Sequence, residues 1–508
     1  MATRAQFANL IRNKLRFDHW RPISSHASAI ESKPNIGGRS LKSQILKPEL
    51  PLTVTTLLQN WVNEGHKITV PHLRNISRQL EKSRRYKQVL EILTWRGTHI
   101  GLELSPIEHF NKMELTLKIH GLMEAEEYFA QLPNTSSQKA VCLPLLHAYV
   151  KERAVEKAEA FMVKLYSLGL LVEPHAYNEM MKLYVATSQY EKVVSVIQEM
   201  KQNKVSLNVL SYNLWLDSCG KLSSVASADK VFKEMANDKT VAVGWSTLAT
   251  LANIYTKAGL DERATLALKN AEKKLSSARR RGHLFLMTIY VSLKNKEEVL
   301  RLWEASKVVP GRITCADYMC ILLCLVKVGG LRQAERVFME WESTRLSLKY
   351  DIRVSNVLLG AYARNGFMNK AESLHARTLE KGGCPNYKTW EILMEGWVKN
   401  HEMDKAIDAM KTGFALLKHS NWRPAPDIRP APDVLLAIVE YFEKHRNLEE
   451  AISYIRLLHG FGLASLPLYK SLLRMHASAQ RPAFDILQMM EKDEIEKDDE
   501  TASLIQLS

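Results

Sequence analysis

Residues 177–235 read YNEMMKLYVATSQYEKVVSVIQEMKQNKVSLNVLSYNLWLDSCGKLSSVASADKVFKEM, and the stretch states one phrase twice. Tyr177-Asn178 opens the first copy, with apolar residues at Met180, Met181 and Tyr184. After a polar break a second apolar face follows at Val193, Val196, Ile197 and Met200. The second copy lies 35 residues on: Tyr212-Asn213, then Trp215, Leu216 and Cys219, then Ala228, Val231, Phe232 and Met235. Spacings of three, four and seven place each set on one side of an α-helix. The stretch therefore predicts two consecutive helical hairpins, and a fixed period of this size signals a stacked repeat protein.

The second-helix anchor of this phrase recurs at Val89, Ala125, Ala158, Val193, Ala228, Ala264, Val299, Ala334, Ala371, Ala406 and Ala451. The steps are 36, 33, 35, 35, 36, 35, 35, 37, 35 and 45. Ala or Val at the anchor suits a point where two helices cross closely. A single hairpin cannot bury its own apolar stripe, so neighbours must stack into a continuous core. The expectation is an all-α chain, a right-handed α-solenoid of about eleven helix-turn-helix repeats over residues 70–466.

The register resembles that of the pentatricopeptide-repeat family, whose unit is a 35-residue helical hairpin. Tyr177-Asn178, Tyr212-Asn213, Lys257-Ala258-Gly259-Leu260-Asp261-Glu262 and Gly382-Gly383-Cys384-Pro385-Asn386 carry the likeness. The tetratricopeptide repeat is the competing hairpin family. It prefers a small residue four positions after the first-helix aromatic, where this chain has Met181, Leu216, Leu322 and Met394.

Lys and Arg total 70 against 55 Asp and Glu, a formal charge of +15. Residues 1–30 hold Arg4, Arg12, Lys14, Arg16 and Arg21 against Asp18, a net +4, so about +11 remains without them. A basic, elongated surface fits a polyanionic partner, because each phosphate neutralised releases counterions. Residues 1–30 have the Arg- and Ser-rich, acid-poor composition of a mitochondrial presequence, with a chloroplast address as the alternative. No apolar run approaches the ~20 residues a membrane span needs. A matrix location follows.

Residues 31–69, with Gly37, Gly38, Pro48 and Pro51, read as a poorly ordered lead-in. The long step of 45 has a cause in the Pro-rich loop 420–432, where alternating prolines exclude helix. Residues 467–508 read as a degenerate capping repeat with a solvated acidic tail from Glu491 to Glu500. Arg279-Arg280-Arg281 reads as a solvated turn able to hold a phosphate.

Six cysteines make no disulfide framework, and Cys315, Cys320 and Cys324 lack the further ligands of a metal site. The motifs of phosphate loops, zinc hydrolases and serine hydrolases do not occur, so neither an enzyme nor a cofactor is expected. His283 and His375 fall at apolar-face positions and read as packed side chains.

The resemblance implies single-stranded RNA bound along the first helices at about one base per repeat. The fifth residue of each repeat would bond the base edge, helped by the last. Asn suits this role because its amide both donates and accepts. On that pattern the RNA-binding residues are Asn178 with Asn208, and Asn356 with Asn386, while Asn213 matches at one position only. Leu143, Ala249, Leu284, Met319, Glu391 and Leu436 depart from it. Two readings stay open: an organellar RNA-binding protein acting in transcript stability, processing or translation, and a structural RNA- and protein-binding component of the mitochondrial ribosome.

Overall fold

The computed structural model describes residues 40–47, 52–99, 101–132, 135–170, 173–275, 280–344, 350–418 and 430–507. The described residues form 27 helices and no strand. They fall into two compact units, divided between Leu275 and Ser276. In each unit every hairpin closes on itself, and from helix Pro106–Ile119 onward the first helix of a hairpin packs on the first helix of the next one in the same unit.

Burial shows why the period exists. All eleven anchors are 0 or 1 % exposed, as small residues on the packed face of each second helix should be. Counting every repeat so that its anchor is position 20, position 8 (Met181, Leu216, Leu322, Met394) is buried as well. Position 4 tyrosines fasten the far end of their own hairpin. Tyr177 accepts from Asn203 at 3.1 Å, and Tyr212 donates to Asp238 at 3.1 Å.

The turn inside each hairpin is equally regular. Position 15 adopts positive φ at Arg84, Arg153, Ser188, Ser223, Gly259, Lys294, Gly329, Gly366, His401 and Arg446. There it ends the first helix in a left-handed residue, and the next N–H reaches back to position 11, as Leu260 does to Tyr255 at 2.9 Å.

Neighbouring hairpins are also latched at their surface. An acid just after one anchor receives an aromatic donor from position 11 and a cation from position 19 of the following repeat. Glu159 accepts from Tyr184 at 2.8 Å and Lys192 at 2.7 Å. Asp229 takes Tyr255 at 2.6 Å and Arg263 at 2.9 Å, and Glu335 takes Tyr362 and Lys370, both at 2.9 Å. Trp397 replaces tyrosine at the fourth, donating to Glu372 at 3.0 Å beside Lys405 at 2.8 Å.

Two expectations about the ends need correction. Helices at Leu41–Ile45 and Val54–Asn63 lie in the expected lead-in, and Leu41, Ile45, Val54 and Leu58 are all fully buried in one core with Leu73, Ile76 and Val89. Val54 stands 35 residues before Val89, so the period begins one hairpin earlier than the apolar pattern suggested. At the other end Leu466–Ser478 and Phe484–Lys492 pair as a further hairpin. The acidic segment is not simply solvated. Asp498 and Glu500 hold Lys470 at 2.6 and 2.5 Å, Thr501 is fully buried, and helix Asp499–Leu507 packs on Leu466–Ser478. The 1–30 segment lies outside the described residues. So does most of the Pro-rich loop, although Pro432 opens helix Pro432–Lys444.

Candidate nucleic-acid interface

The last residue of each repeat is the N-cap of the next first helix. This accounts for Asn208 and Asn386 before any ligand is considered. Each accepts a backbone N–H with its side-chain oxygen, Asn208 from Ser211 at 3.0 Å and Asn386 from Thr389 at 3.1 Å. Each also sits in a capping box, its own N–H donating to the hydroxyl of Ser211 or Thr389.

The fifth residues join the same caps from the preceding repeat. Asn178 Nδ2 donates to Asn208 Oδ1 at 3.2 Å, and Ser211 Oγ donates to Asn178 Oδ1 at 2.8 Å. In the other compact unit, Asn356 Nδ2 donates to Asn386 Oδ1 at 3.2 Å and Thr389 Oγ1 donates to Asn356 Oδ1 at 3.0 Å. The structure therefore brings both expected pairs together and adds a hydroxyl to each. Asn178 and Asn356 are 2 and 8 % exposed, while Asn208 and Asn386 are half-buried.

Asn213 stands apart. The N-cap after it is Gly244, which offers no side chain. Asn213 Nδ2 reaches Ser246 Oγ at 3.4 Å instead, and among the described residues neither Asn213 Oδ1 nor the buried Thr247 hydroxyl has a hydrogen-bond partner. Glu391, at position 5 of its repeat, is 2 % exposed with the Lys388 ammonium 2.5 Å away. Burial pushes its carboxyl pKa up against the pull of Lys388.

A second recurring feature is a cation at position 13, the end of the first helix. It is Lys82, Lys118, Lys151, Lys221 and Lys257 in one unit and Lys327, Arg364, Lys399 and Lys444 in the other. All are exposed except the half-buried Lys221; Ala186 and Ser292 interrupt the series. Cations there complement the helix dipole. They also mark one edge of the face that positions 2, 6 and 9 share by helical spacing. The pattern was present in the sequence at the same period as the anchors, and a reading confined to apolar positions passed over it.

The Arg279–Arg281 run changes meaning. Arg279 lies outside the described residues. Arg280 is no solvated turn residue: its guanidinium donates to the carbonyls of Ser306, Gly311 and Arg312 at 3.0, 2.7 and 2.8 Å, closing the end of helix Lys296–Val308. Cys320 and Cys324 are buried free thiols, with Cys315 half-buried. His375 is half-buried with its ring edge-on to Trp390, and burial lowers its pKa. Among the described residues no three His, Cys, Asp or Glu side chains are placed to hold a metal, and no helix is long and apolar enough to cross a membrane.

Comparison with known proteins agrees with this architecture. A profile of the pentatricopeptide repeat domain matches residues 162–222, and one of the PPR repeat matches 210–239 and 354–383. A pentatricopeptide repeat-containing protein of Arabidopsis thaliana is 52 % identical over 479 residues, covering 94 % of this chain and 96 % of its own length. Another from the same plant, named as mitochondrial, is 32 % identical over 481 residues, covering 95 % of this chain and 87 % of its own length. The solved structure of a maize pentatricopeptide repeat protein is 16 % identical, with a TM-score of 0.41 over 92 % of this chain and 80 % of that one. Its hairpin period, its buried anchors and its near full-length identity to these relatives show that the chain belongs to the pentatricopeptide-repeat family.

Proposed function

We propose that this protein binds single-stranded RNA in the mitochondrial matrix and acts on the stability, processing or translation of an organellar transcript. It is a binding protein, with no catalytic step of its own. The observation that carries this reading is the position 13 cation, repeated at one end of nine first helices. Isolated surface lysines are commonplace, but a cation in the same place every 35 or so residues matches a polymer with evenly spaced phosphates. The net charge of +15 points the same way. The Asn178–Asn208 and Asn356–Asn386 pairs would supply base selection, preferring pyrimidines five repeats apart. Relatives named for the mitochondrion support the location, together with the basic residues 1–30.

A salt titration of binding to single-stranded RNA tests the reading. The logarithm of the affinity should fall linearly with the logarithm of salt concentration. Lys221→Gln, Lys399→Gln and Lys444→Gln together should flatten that slope by about 2, at roughly 0.7 for each phosphate no longer neutralised. An unchanged slope would remove the cations from the interface. Sedimentation of the native protein with and without ribonuclease separates the alternatives. Migration with ribosomal particles would favour the ribosomal role, and a smaller, ribonuclease-sensitive complex would favour the transcript-binding role.

A further inference from the structure

Position 3 of the following repeat is a partner of position 5 in both compact units. Ser211 serves Asn178, Thr389 serves Asn356, and Glu108 serves Arg74, whose Nε and Nη2 it accepts at 3.0 Å each. Where position 3 is apolar, as at Val434, it offers the Glu391 carboxylate one repeat earlier no donor, and that carboxylate meets Lys388 on its own helix instead. The two Asn networks repeat to within 0.2 Å in every shared bond: 3.2 and 3.2, 2.8 and 3.0, 3.0 and 3.1 Å.

This arrangement fixes which way each amide faces. The backbone N–H of Ser211 can only donate, so the atom of Asn208 it meets is the oxygen. That oxygen then requires the Asn178 atom facing it to be nitrogen. The remaining Asn178 oxygen receives the Ser211 hydroxyl proton, which is closer to it at 2.8 Å than to Asn208 Oδ1 at 3.1 Å. The chain of bonds leaves Asn208 Nδ2 outside the network, on the half-buried member of the pair. The same steps apply from Thr389 through Asn386 and Asn356.

We propose that Ser211 and Thr389 are positioning residues for base selection. Their hydroxyls hold the preceding Asn pair in one orientation, so that each pair offers donors to a base edge that accepts. This rests on the RNA-binding reading above and adds a third residue to each two-residue reader. Without the hydroxyl, the Asn178 carbonyl is left without its donor and the amide can turn over, offering oxygen in place of nitrogen.

The test measures binding of the full chain to a set of RNAs in which the base at one position is varied at a time. The wild type should discriminate at two positions five nucleotides apart. Ser211→Ala should lower discrimination roughly fivefold or more at the first, the range of one base-edge hydrogen bond, and leave the second unchanged. Thr389→Val should do the reverse. Ser211→Thr and Thr389→Ser retain the hydroxyl and should restore wild-type selectivity. Loss of the capping box alone would weaken all RNAs equally and lower the melting temperature without changing the ranking of bases. A uniform loss of that kind, beside a discriminating wild type, overturns the positioning role and leaves RNA binding standing. A wild type that binds RNA without discrimination removes the base readers, and one that binds no RNA removes the function they serve.

Discussion

Gly244 has extended backbone, φ −97° and ψ 178°, close to the −112° and 176° of Asn208, and a Cβ there would meet nothing within 4 Å. Asparagine therefore fits without strain. Gly244→Asn should cap the Thr247 N–H and supply the missing partner for Asn213. The melting temperature should rise slightly, since Asn exceeds Gly at an N-cap by a few tenths of a kcal/mol. A third selective position, one nucleotide beyond that of Asn178, should also appear in a binding selection. If the cap stabilises the protein and selection stays unchanged, Asn213 is not a reader. Arg280 makes the opposite case, a charge that serves the fold. Arg280→Ala leaves the carbonyls at the end of helix Lys296–Val308 without their charged donor and should cost about 1.5–3 kcal/mol. Thermal melts would detect this. Salt-dependent RNA binding at a temperature where the variant is folded should remain that of the wild type.

At the scale of the hairpin, the left-handed turn at position 15 is occupied by glycine in only three of the ten repeats that show it. Lys294 at φ 55° and His401 at φ 62° hold a conformation that costs a side-chain-bearing residue about 1 kcal/mol or more. Lys294→Gly and His401→Gly should each raise stability by roughly 1 kcal/mol less the entropy that glycine adds to the unfolded chain. Denaturant melts showing destabilisation at both sites would mean that the side chains, not the backbone, govern these turns. The hairpins themselves were legible because apolar spacing and the small anchors are local properties. Val54 escaped because the residues before it lack a patterned first helix, although the period pointed to it. The acidic tail was misread because charge says nothing about a helix docking through Thr501. The Asn pairs were visible in the sequence; their closure by Ser211 and Thr389 was not, since it joins residues 33 apart across a repeat boundary.

Across the whole molecule, stability should depend on acid pH through the latches. Lys192 and Lys405 hold the Glu159 and Glu372 carboxyls below their ordinary value. A carboxylate depressed in the folded state contributes stability above its unfolded pKa, near ~4.3, and loses it as pH falls through the folded value. The melting temperature should be level from about pH 5 to 8 and fall below about pH 4. A constant value down to pH 3 would show the latches to be energetically silent. Import belongs to this scale too. A fluorescent fusion of residues 1–60 should enter mitochondria, and the processed protein should begin before Leu41, whose side chain is fully buried; a cytosolic fusion would contradict the address. The latches have a mechanical consequence as well. Glu159, Asp229, Glu335 and Glu372 tie their junctions just after the anchor, whereas Val194 with Cys219, Leu300 with Leu325 and Ile407 with Phe442 occupy the same places with no acid, and there Lys201–Glu234, Lys307–Glu340 and Lys411–Glu450 make the tie at 2.7, 2.8 and 3.0 Å. Springs in series take most of their extension in the softest member. With an ion pair across each of these joints no member is singled out as soft, so tension on either compact unit would be shared along its hairpins and their spacing would stretch evenly.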